Sequence, residues 1–427
     1  MAAADQPRQQ PDAALQVDPT APTSGLTVAP WRVWPLLAAG FVTAFGAHAV
    51  AANLGRYALD GGSGGGRHAS LLELGVLLAL YDGAEVIGKP AFGALADRIG
   101  ARPVLLGGLL AFAVASAGFV VAGEPDALAA ARLAQGAAAA AFSPAASALV
   151  ARLHPPGRLG RAFGSYGAWK SLGYTLGPLL GGGLVALGGF PLLFGTLAAL
   201  GLAVAAWAAV VVPATPPLPR ARQTVLGLAR RLAQPSFVQP VTALAGATAA
   251  LGVGVGFLPV RGAQAGLGPL ASGATVSLLA LSAALVGPRA GRAHDAGRLP
   301  ARSGMATGLG LAAAGAAIAA LGPGLGGLVA GAVGIGVGAG LVTPLGFAAL
   351  AATAPPGRLG QTMGAAEVGR ELGDAGGPLL VATIAATAGL GLGVGLAGLA
   401  ACLLVAATSV LVRHDPTESQ LPAQGRR

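Results

Sequence analysis

Apolar stretches long enough to cross a lipid bilayer recur along the whole of this chain. A transmembrane helix needs about 20 consecutive, mainly apolar residues. Stretches of that length lie near residues 31–54, 70–95, 103–123, 127–152, 162–187, 190–212, 237–261, 268–288, 303–322, 324–352, 362–388 and 390–412. Charged residues are only 10% of the chain, against about 25% in soluble proteins. The sequence therefore predicts an all-α membrane protein with about twelve transmembrane helices, and the Gly-rich stretch 323–346 leaves eleven or thirteen open.

The composition also excludes several classes of protein. The net charge is +10, but the arginines lie in short clusters between apolar stretches, which argues against a nucleic-acid surface. Cys402 is the single cysteine, so we expect neither a disulfide framework nor a cysteine metal site. There is no nucleotide-binding motif and no protease signature, so we predict no cofactor, no metal and no enzymatic activity.

Arginines concentrate in the loops on one side of the predicted bundle, and cytoplasmic loops carry the excess of Arg and Lys. These arginines follow even-numbered helices or lie in the central segment and the C-terminal tail: Arg98, Arg102, Arg152, Arg158, Arg161, Arg220, Arg222, Arg230, Arg231, Arg289, Arg292, Arg298, Arg302, Arg358, Arg413, Arg426 and Arg427. The opposite loops hold only Arg56, Arg67 and Arg261. We therefore predict a multi-pass protein of the cell membrane with both termini cytoplasmic.

An internal repeat divides the chain into two related halves. The hexapeptide Pro-Pro-Gly-Arg-Leu-Gly at 155–160 recurs at 355–360, and the match continues into Gly-Pro-Leu-Leu at 177–180 and 377–380. A weaker echo pairs Pro90, Gly93 and Asp97 with Pro288, Gly291 and Asp295. Transporters built from parallel repeats show this pattern. The predicted parts are a disordered cytoplasmic tail at 1–30, a six-helix bundle at 31–212, a cytoplasmic loop at 213–236, a second bundle at 237–412 and a tail at 413–427.

Three motifs resemble those of the major facilitator superfamily, and specifically its drug:proton antiporter branch. The loop after the second helix resembles the family's loop signature at Gly93, Asp97, Arg98, Gly100 and Arg102, with Ala101 where a basic residue is usual. The fourth helix resembles the family's signature at Leu128, Arg132, Gln135 and Gly136. The fifth helix matches the antiporter signature at Gly164, Gly173, Gly177, Pro178, Gly181 and Gly182.

This resemblance implies two six-helix bundles, proton coupling through Arg132, and export more than uptake. It also implies that the second and eleventh helices adjoin between the halves, and that the protein is a monomer. In physical terms, Asp97 is placed to hold the N-terminus of a neighbouring helix. Glycines four residues apart in the fifth helix allow close packing, and Pro178 allows a bend. Plain helix packing is the alternative interpretation of that glycine face.

Charged side chains inside predicted helices are costly in a membrane and indicate functional sites. The second helix carries Asp82, Glu85 and Lys89 on one face, and the eleventh carries Glu367, Arg370, Glu371 and Asp374. From the cytoplasmic ends, at ~1.5 Å per residue, Lys89 and Glu367 lie about 8 to 9 Å deep. Glu85 and Arg370 lie about 12 to 15 Å deep, and Asp82 and Asp374 about 18 to 20 Å.

We therefore predict a latch between the halves, with Lys89 paired to Glu367 and Glu85 paired to Arg370. Asp82 and Asp374 are candidate proton carriers, because two close carboxylates in a poorly solvated site do not both ionise easily. The alternative is a permanent ion-pair network that only holds the halves together.

Lys170 lies in the middle of the fifth helix, and Arg370 is its repeat mate. Tyr166, Trp169 and Tyr174 lie near it in the helix, so this face is a candidate substrate cavity that presents a cation among aromatic rings. Internal cation–π packing is the alternative. We expect His48, in the first helix, to be a hydrogen-bonded core residue.

The leading functional hypothesis is proton-coupled efflux of a small molecule or drug by alternating access. Its partners are the substrate, protons and the lipid bilayer. One alternative is proton-coupled uptake of a small solute, such as an anion drawn to Lys170, Arg132 and Arg370. A remote alternative is an intramembrane enzyme or a sensor that transports nothing.

Overall fold

The computed structural model describes residues 29–59, 71–122, 125–217, 233–266, 269–387 and 392–411. Almost all of the predicted N-terminal tail, the predicted C-terminal tail and most of the predicted central loop lie outside the described residues. So do Arg67 and the side chain of Arg56, which entered the prediction of orientation.

The described chain is helical and contains the twelve predicted helices. A 3-10 turn at Pro30–Val33 leads into the first helix. The helices are α1 (Trp34–Leu59), α2 (Leu71–Ile99), α3 (Ala101–Val121), α4 (Pro125–Arg152), the pair α5 and α6 within Leu159–Val211, α7 (Pro235–Gln264), α8 (Pro269–Asp295), α9 (Ala301–Leu321), α10 (Gly324–Thr353), α11 (Leu359–Thr387) and α12 (Leu392–Leu411). The Gly-rich stretch after residue 323 forms one helix, so the described ranges contain the predicted twelve.

Two glycines separate α5 from α6. The segment Leu159–Val211 is helical except at Gly188 and Gly189. Gly189 has φ of 70°, a left-handed conformation that L side chains rarely adopt. Pro191, two residues later, has no N–H to continue the hydrogen bonding of α5. We therefore number the arm at 159–187 as α5 and the arm at 190–211 as α6.

The outer surface of the bundle is apolar, as a lipid-facing surface must be. Ile87, Leu187 and Val210 are 80%, 85% and 86% exposed. Nine helical segments of the described chain are long and apolar enough to cross a bilayer, and one of them contains both α5 and α6. The helices α2 and α11 fall outside that set because each carries several charged residues in its middle.

The helices form two bundles of six, α1–α6 and α7–α12, which meet where α2 contacts α11 and α5 contacts α8. We call these two contacts the seam. Glycines allow the helices to approach each other closely at the seam. A methyl group added at Gly93 would strike the backbone of Gly360, and one added at Gly164 would strike the backbone of Gly287. Backbones that lie this close hold the halves together along the ends of these four helices.

The predicted glycine face of α5 packs on α1. A methyl group at Gly173, Gly177 or Gly181 would lie 2.6 to 3.0 Å from the nearest atom of α1, whereas at Gly182 it would meet only Asn53, at 3.9 Å. The copy in α11 packs in the same way on α7, through Gly373 and Gly377. Where the first half has Gly181, the second has Val381, which is fully buried and packs against Gly395 of α12. The two halves thus share one architecture with different packing at this level.

Candidate functional site

Two aspartates close the seam at the end of the molecule where the loops α2–α3, α4–α5, α8–α9 and α10–α11 lie, which we call the arginine-rich end. The carboxylate of Asp97 accepts hydrogen bonds from the backbone N–H groups of Gly360 and Gln361, at 2.7 and 2.9 Å. The carboxylate of Asp295 accepts hydrogen bonds from the N–H groups of Gly160 and Arg161, both at 2.8 Å. Each aspartate of one half therefore caps the first turn of a helix in the other half.

These two caps explain why the two sequence echoes occur together. Asp97 and Asp295 are repeat mates, and so are Gly160 and Gly360. A carboxylate at a helix N-terminus satisfies free N–H groups and complements the helix dipole. The contact expected of Asp97 from the sequence is present, and the structure adds its counterpart from Asp295.

The remaining residues of the loop motif have separate structural roles. Gly100 has φ of 99° and precedes α3, so a side chain there would strain the backbone. Arg102 donates a hydrogen bond to the carbonyl oxygen of Ala209 in α6. Arg98 is exposed to solvent.

Six charged side chains lie in the seam beyond these caps, and we call them the seam network. They are Glu85 and Lys89 of α2, Lys170 of α5, and Glu367, Arg370 and Glu371 of α11. Lys89 Nζ lies 2.5 Å from Glu371 Oε1 and 3.1 Å from Glu85 Oε2. Lys170 Nζ lies 2.9 Å from Glu367 Oε2. Three acids and three bases balance in charge, as buried ions require.

Of the two predicted pairs of the latch, Lys89 with Glu367 is present as a long contact, and Glu85 with Arg370 is corrected by this geometry. Lys89 reaches Glu367 only at 4.0 Å, and Glu371 is its short contact in the other half. Arg370 lies 3.5 Å from Glu367, three residues earlier in its own helix, and Glu85 pairs with Lys89 rather than with Arg370. The predicted pairs rested on depth along α2 and α11 alone. Depth does not show that residues of one helix pair with each other, or that Lys170 reaches Glu367 from α5.

A cavity of about 240 Å³ lies next to the seam network, farther from the arginine-rich end. We call it the central cavity. It is lined by residues of both halves: His48, Asp82, Ser171, Tyr174, Thr175, Leu251, Gly252, Val255, Gly256, Leu279, Ala280, Glu371, Asp374, Ala375 and Pro378. Asp82 and Asp374, the predicted proton carriers, therefore face the same space from opposite halves, together with Glu371.

His48 is the cavity residue that the sequence interpretation missed. It was expected in the core, but it lines the cavity with its ring centroid 4.2 Å from that of Tyr174. Its Nδ1 lies 3.0 Å from the carbonyl oxygen of Ala44, a contact that requires a proton on Nδ1. Its Nε2 lies 3.9 Å from Asp374 Oδ2. The available signal was the rarity of an ionisable residue inside a membrane helix.

Of the four residues predicted to form a substrate cavity, only Tyr174 lines it. Lys170 is 2% exposed and bound to Glu367. Tyr166 is 1% exposed, and its ring lies 6.0 Å from Lys170 Nζ. Trp169 packs edge-on against Trp34, at 6.1 Å between ring centroids. The predicted aromatic face therefore packs mostly inside the protein.

Arg132 is buried in the first half beside the cavity wall. Its guanidinium lies 4.2 Å from the ring centroid of Tyr81, the neighbour of Asp82 in α2. It donates to Gln135 Oε1 at 2.9 Å, and Gln135 donates to Ser116 at 3.1 Å. The ring of Tyr81 and the amide of Gln135 fix the position of this cation.

Among the charged side chains of the seam network and the central cavity, exposure increases away from the arginine-rich end. Along α11 the exposed fraction of the side chain rises from 0% at Glu367 to 12% at Glu371 and 22% at Asp374. Along α2, Lys89 is buried whereas Asp82 is exposed. Among the described residues, the seam is therefore closed at the arginine-rich end, and the charged side chains that line the cavity are the more exposed ones.

The chain is similar in sequence and in fold to known transport and resistance proteins. Over 143 residues the chain is 34% identical to the multidrug resistance protein MdtH of Edwardsiella ictaluri, covering 34% of each chain. Over 141 residues it is 35% identical to the tetracenomycin C resistance and export protein of Streptomyces glaucescens, covering 32% of this chain and 25% of that one. The matched stretches thus span about a third or less of these relatives.

The structure of the human organic anion transporter MFSD10 (TETRAN) aligns with a TM-score of 0.74 and 20% identity, covering 90% of this chain and 100% of that one. At this identity the likeness shows the fold alone. The family model for the Major Facilitator Superfamily matches residues 33–298, which is more than half of the chain. The protein therefore belongs to the Major Facilitator Superfamily.

Proposed function

We propose that this protein is a proton-coupled exporter of a small molecule that works by alternating access in the cell membrane. The observation that carries the proposal is the central cavity, where Asp82 of one half and Asp374 of the other line a single space between the two bundles. In this proposal the arginine-rich end and both termini are cytoplasmic, and one chain forms the whole pathway.

The cavity's carboxylates are the proposed proton carriers. They lie in a partly enclosed, mainly apolar space, where two ionised carboxylates repel each other strongly. Protons that enter from outside neutralise them and favour closure around the cavity. Opening of the seam towards the cytoplasm then lets the protons leave, and substrate takes their place. Arg132, held in the first half by Tyr81, is the cation that we propose takes part in proton coupling.

The relatives support export as the direction of transport. The names of two relatives state multidrug resistance, and resistance with export. The fifth-helix glycine and proline pattern, which resembles the antiporter signature, packs α5 on α1 beside the cavity. We propose that Gly173, Gly177 and Pro178 form the flexible part of that packing.

Uptake of an anion has less support from the geometry. Its proposed attractants were Lys170, Arg132 and Arg370, and all three lie outside the cavity lining. Lys170 and Arg370 both pair with Glu367 within the charge-balanced seam network, while the cavity itself presents three carboxylates. A neutral or cationic compound fits this lining better than an anion does.

Transport by the purified full chain in liposomes tests the proposal. We would impose pH gradients of either sign and follow a panel of radiolabelled cationic, neutral and anionic compounds. We expect a cationic or neutral compound to move in the direction opposite to the flow of protons. We expect the Asp82→Asn and Asp374→Asn variants to lose that coupling. Movement of the compound with the protons would overturn antiport, and preferential movement of anions would overturn the interpretation of the cavity.

A further inference from the structure

A second, much smaller cavity adjoins the central cavity on the side of the arginine-rich end. It lies between α5, α8 and α10, and its volume of about 10 Å³ is close to the room that one water molecule needs. We call it the seam void. Ser171 and Leu251 line both spaces, whereas Gly164, near the start of α5, and Gly287, near the end of α8, line the void alone. Every residue that lines the void is uncharged.

The internal repeat relates the seam void to the seam network. The register that pairs Gly160 with Gly360 and Asp97 with Asp295 also pairs four residues that line the void with four ions of the network. These pairs are Gly167 with Glu367, Ser171 with Glu371, Ala283 with Glu85, and Gly287 with Lys89. The seam therefore has a charged side, where α2 meets α11, and a small-residue side, where α5 meets α8.

The other two ions of the network increase this asymmetry. Lys170 and Arg370 are repeat mates of each other, and both pair with Glu367 on the charged side. The space that ions fill on one side of the pseudo-symmetric seam is thus a void on the other side.

The two sides of the seam resist the passage of a compound differently. On the charged side a compound would have to separate buried ions, and an unpaired buried ion is strongly unfavourable. On the small-residue side the void needs only to widen and to extend past the close backbones of Gly164 and Gly287 and the Asp295 cap. The void also offers a hydrogen-bond acceptor, because Pro344 has no N–H for the carbonyl oxygen of Gly340.

We propose that a transported compound crosses the arginine-rich end on the small-residue side, through the seam void, and that Thr343 sets the size of compound that passes. This inference rests on the proposed alternating access and adds a route to it. A methyl group at Gly167 would lie 2.9 Å from Thr343 Cγ2, so the methyl group of Thr343 faces α5. The hydroxyl group of Thr343 donates to Ala339 in its own helix, at 2.9 Å. A larger side chain at position 343 would therefore fill the void.

Access of a thiol reagent to the central cavity tests this route without a known substrate. Thr175 lines the central cavity one turn of α5 beyond Ser171, so Thr175→Cys in a Cys402→Ala background of the full chain gives one reporter thiol past the void. The membrane-impermeant cation 2-(trimethylammonium)ethyl methanethiosulfonate is added to intact cells or to inverted membrane vesicles, which in the proposed orientation present the arginine-rich end. Mass spectrometry then gives the rate of reaction from each side.

The matched pair of variants is Thr343→Met and Thr343→Val, since only the first adds length at the void. We expect the reporter thiol to react from both sides. Thr343→Met lowers the rate from the arginine-rich end roughly tenfold, because extra methylene groups occupy the route, and leaves the rate from the opposite side unchanged. Thr343→Val keeps the size of threonine and leaves both rates unchanged.

The inference is overturned if Thr343→Met leaves the rate from the arginine-rich end unchanged, or if it lowers the rates from both sides equally. If Thr343→Met does not fold, the single thiols of Thr343→Cys and Ser143→Cys decide, because Ser143 is the repeat mate of Thr343. The thiol at 343 must then react faster from the arginine-rich end than the thiol at 143, and equal rates are contrary evidence. A reporter that reacts from one side only, without any change at 343, contradicts alternating access and this route with it. Antiport can fail in the liposome experiment while the route stands, because the thiol reagent does not depend on the direction of proton coupling.

Discussion

Removal of the Asp97 carboxylate is expected to open the arginine-rich end without unfolding either bundle. In Asp97→Ala the N–H groups of Gly360 and Gln361 lose their acceptor. Loss of a capping side chain costs about 1 kcal/mol, and loss of the charge at a partly buried helix N-terminus costs about 1 kcal/mol more. The sum of about 2 kcal/mol is a change of roughly thirtyfold in the ratio of closed to open seam.

The geometry predicts the same change for Asp295→Ala, because Asp295 makes two equivalent bonds at 2.8 Å. The two caps are separate, so their effects should add in the double variant. Asp97→Asn keeps one acceptor oxygen and should lose about half of the free energy. Asp126→Ala is the control, since Asp126 is an exposed acid in the first turn of α4 and lies away from the seam.

Nitroxide labels at Gly157 and Ala352, two exposed positions in opposite halves, in a Cys402→Ala background measure these ratios by pulsed electron paramagnetic resonance, and circular dichroism verifies that the helix content is unchanged. A shift of less than threefold in Asp97→Ala would refute the argument that the caps hold the seam. A large shift for Asp97→Ala with none for Asp295→Ala would refute the equivalence of the halves at this end.

Three further substitutions test other contacts. Lys170→Met leaves a buried carboxylate short of its closest cation and should lower the free energy of unfolding by about 3 kcal/mol, whereas Lys170→Arg should lose much less; thermal unfolding in detergent measures both. Tyr81→Phe should keep proton-coupled transport, because the ring that holds the buried arginine remains, and Tyr81→Leu should uncouple it; equal activity of the two variants would contradict this role. Gly93→Ala should separate the seam helices and lower transport, while Gly107→Ala, where a methyl group meets no atom within 4 Å, should transport like the parent.

The helices could be predicted from the sequence because their determinants are local, whereas the adjacency of α2 and α11 was implied by the family resemblance. Length and apolarity define each helix, and the repeat relates α5 to α11 without any knowledge of contacts. The break between α5 and α6 also has a local cause, because the pair Gly188 and Gly189 with Pro191 two residues later ends a helix. The carboxylate of Asp97 could be assigned to a helix N-terminus because a charge at the end of an apolar helix has few other partners.

The contacts inside the seam could not be predicted in the same way. Depth along α2 and α11 gave the right level for Asp82 and Asp374, which meet in one cavity. Ion pairing depends instead on which side chains turn towards each other, and Lys170 approaches Glu367 from a third helix. His48 faces the cavity because of the rotation of α1 about its own axis, a quantity that no spacing within a single helix determines.

Release of protons on substrate binding tests the central claim most directly. The purified full chain in weak buffer at pH 7 is mixed with the compound that liposomes transport best, and a pH indicator follows the solution. Substrate is expected to displace protons from Asp82 and Asp374, so the parent acidifies the medium and the Asp82→Asn, Asp374→Asn double variant does not. Binding of the compound without proton release, or equal release from the double variant, would contradict the exchange of protons for substrate in this cavity.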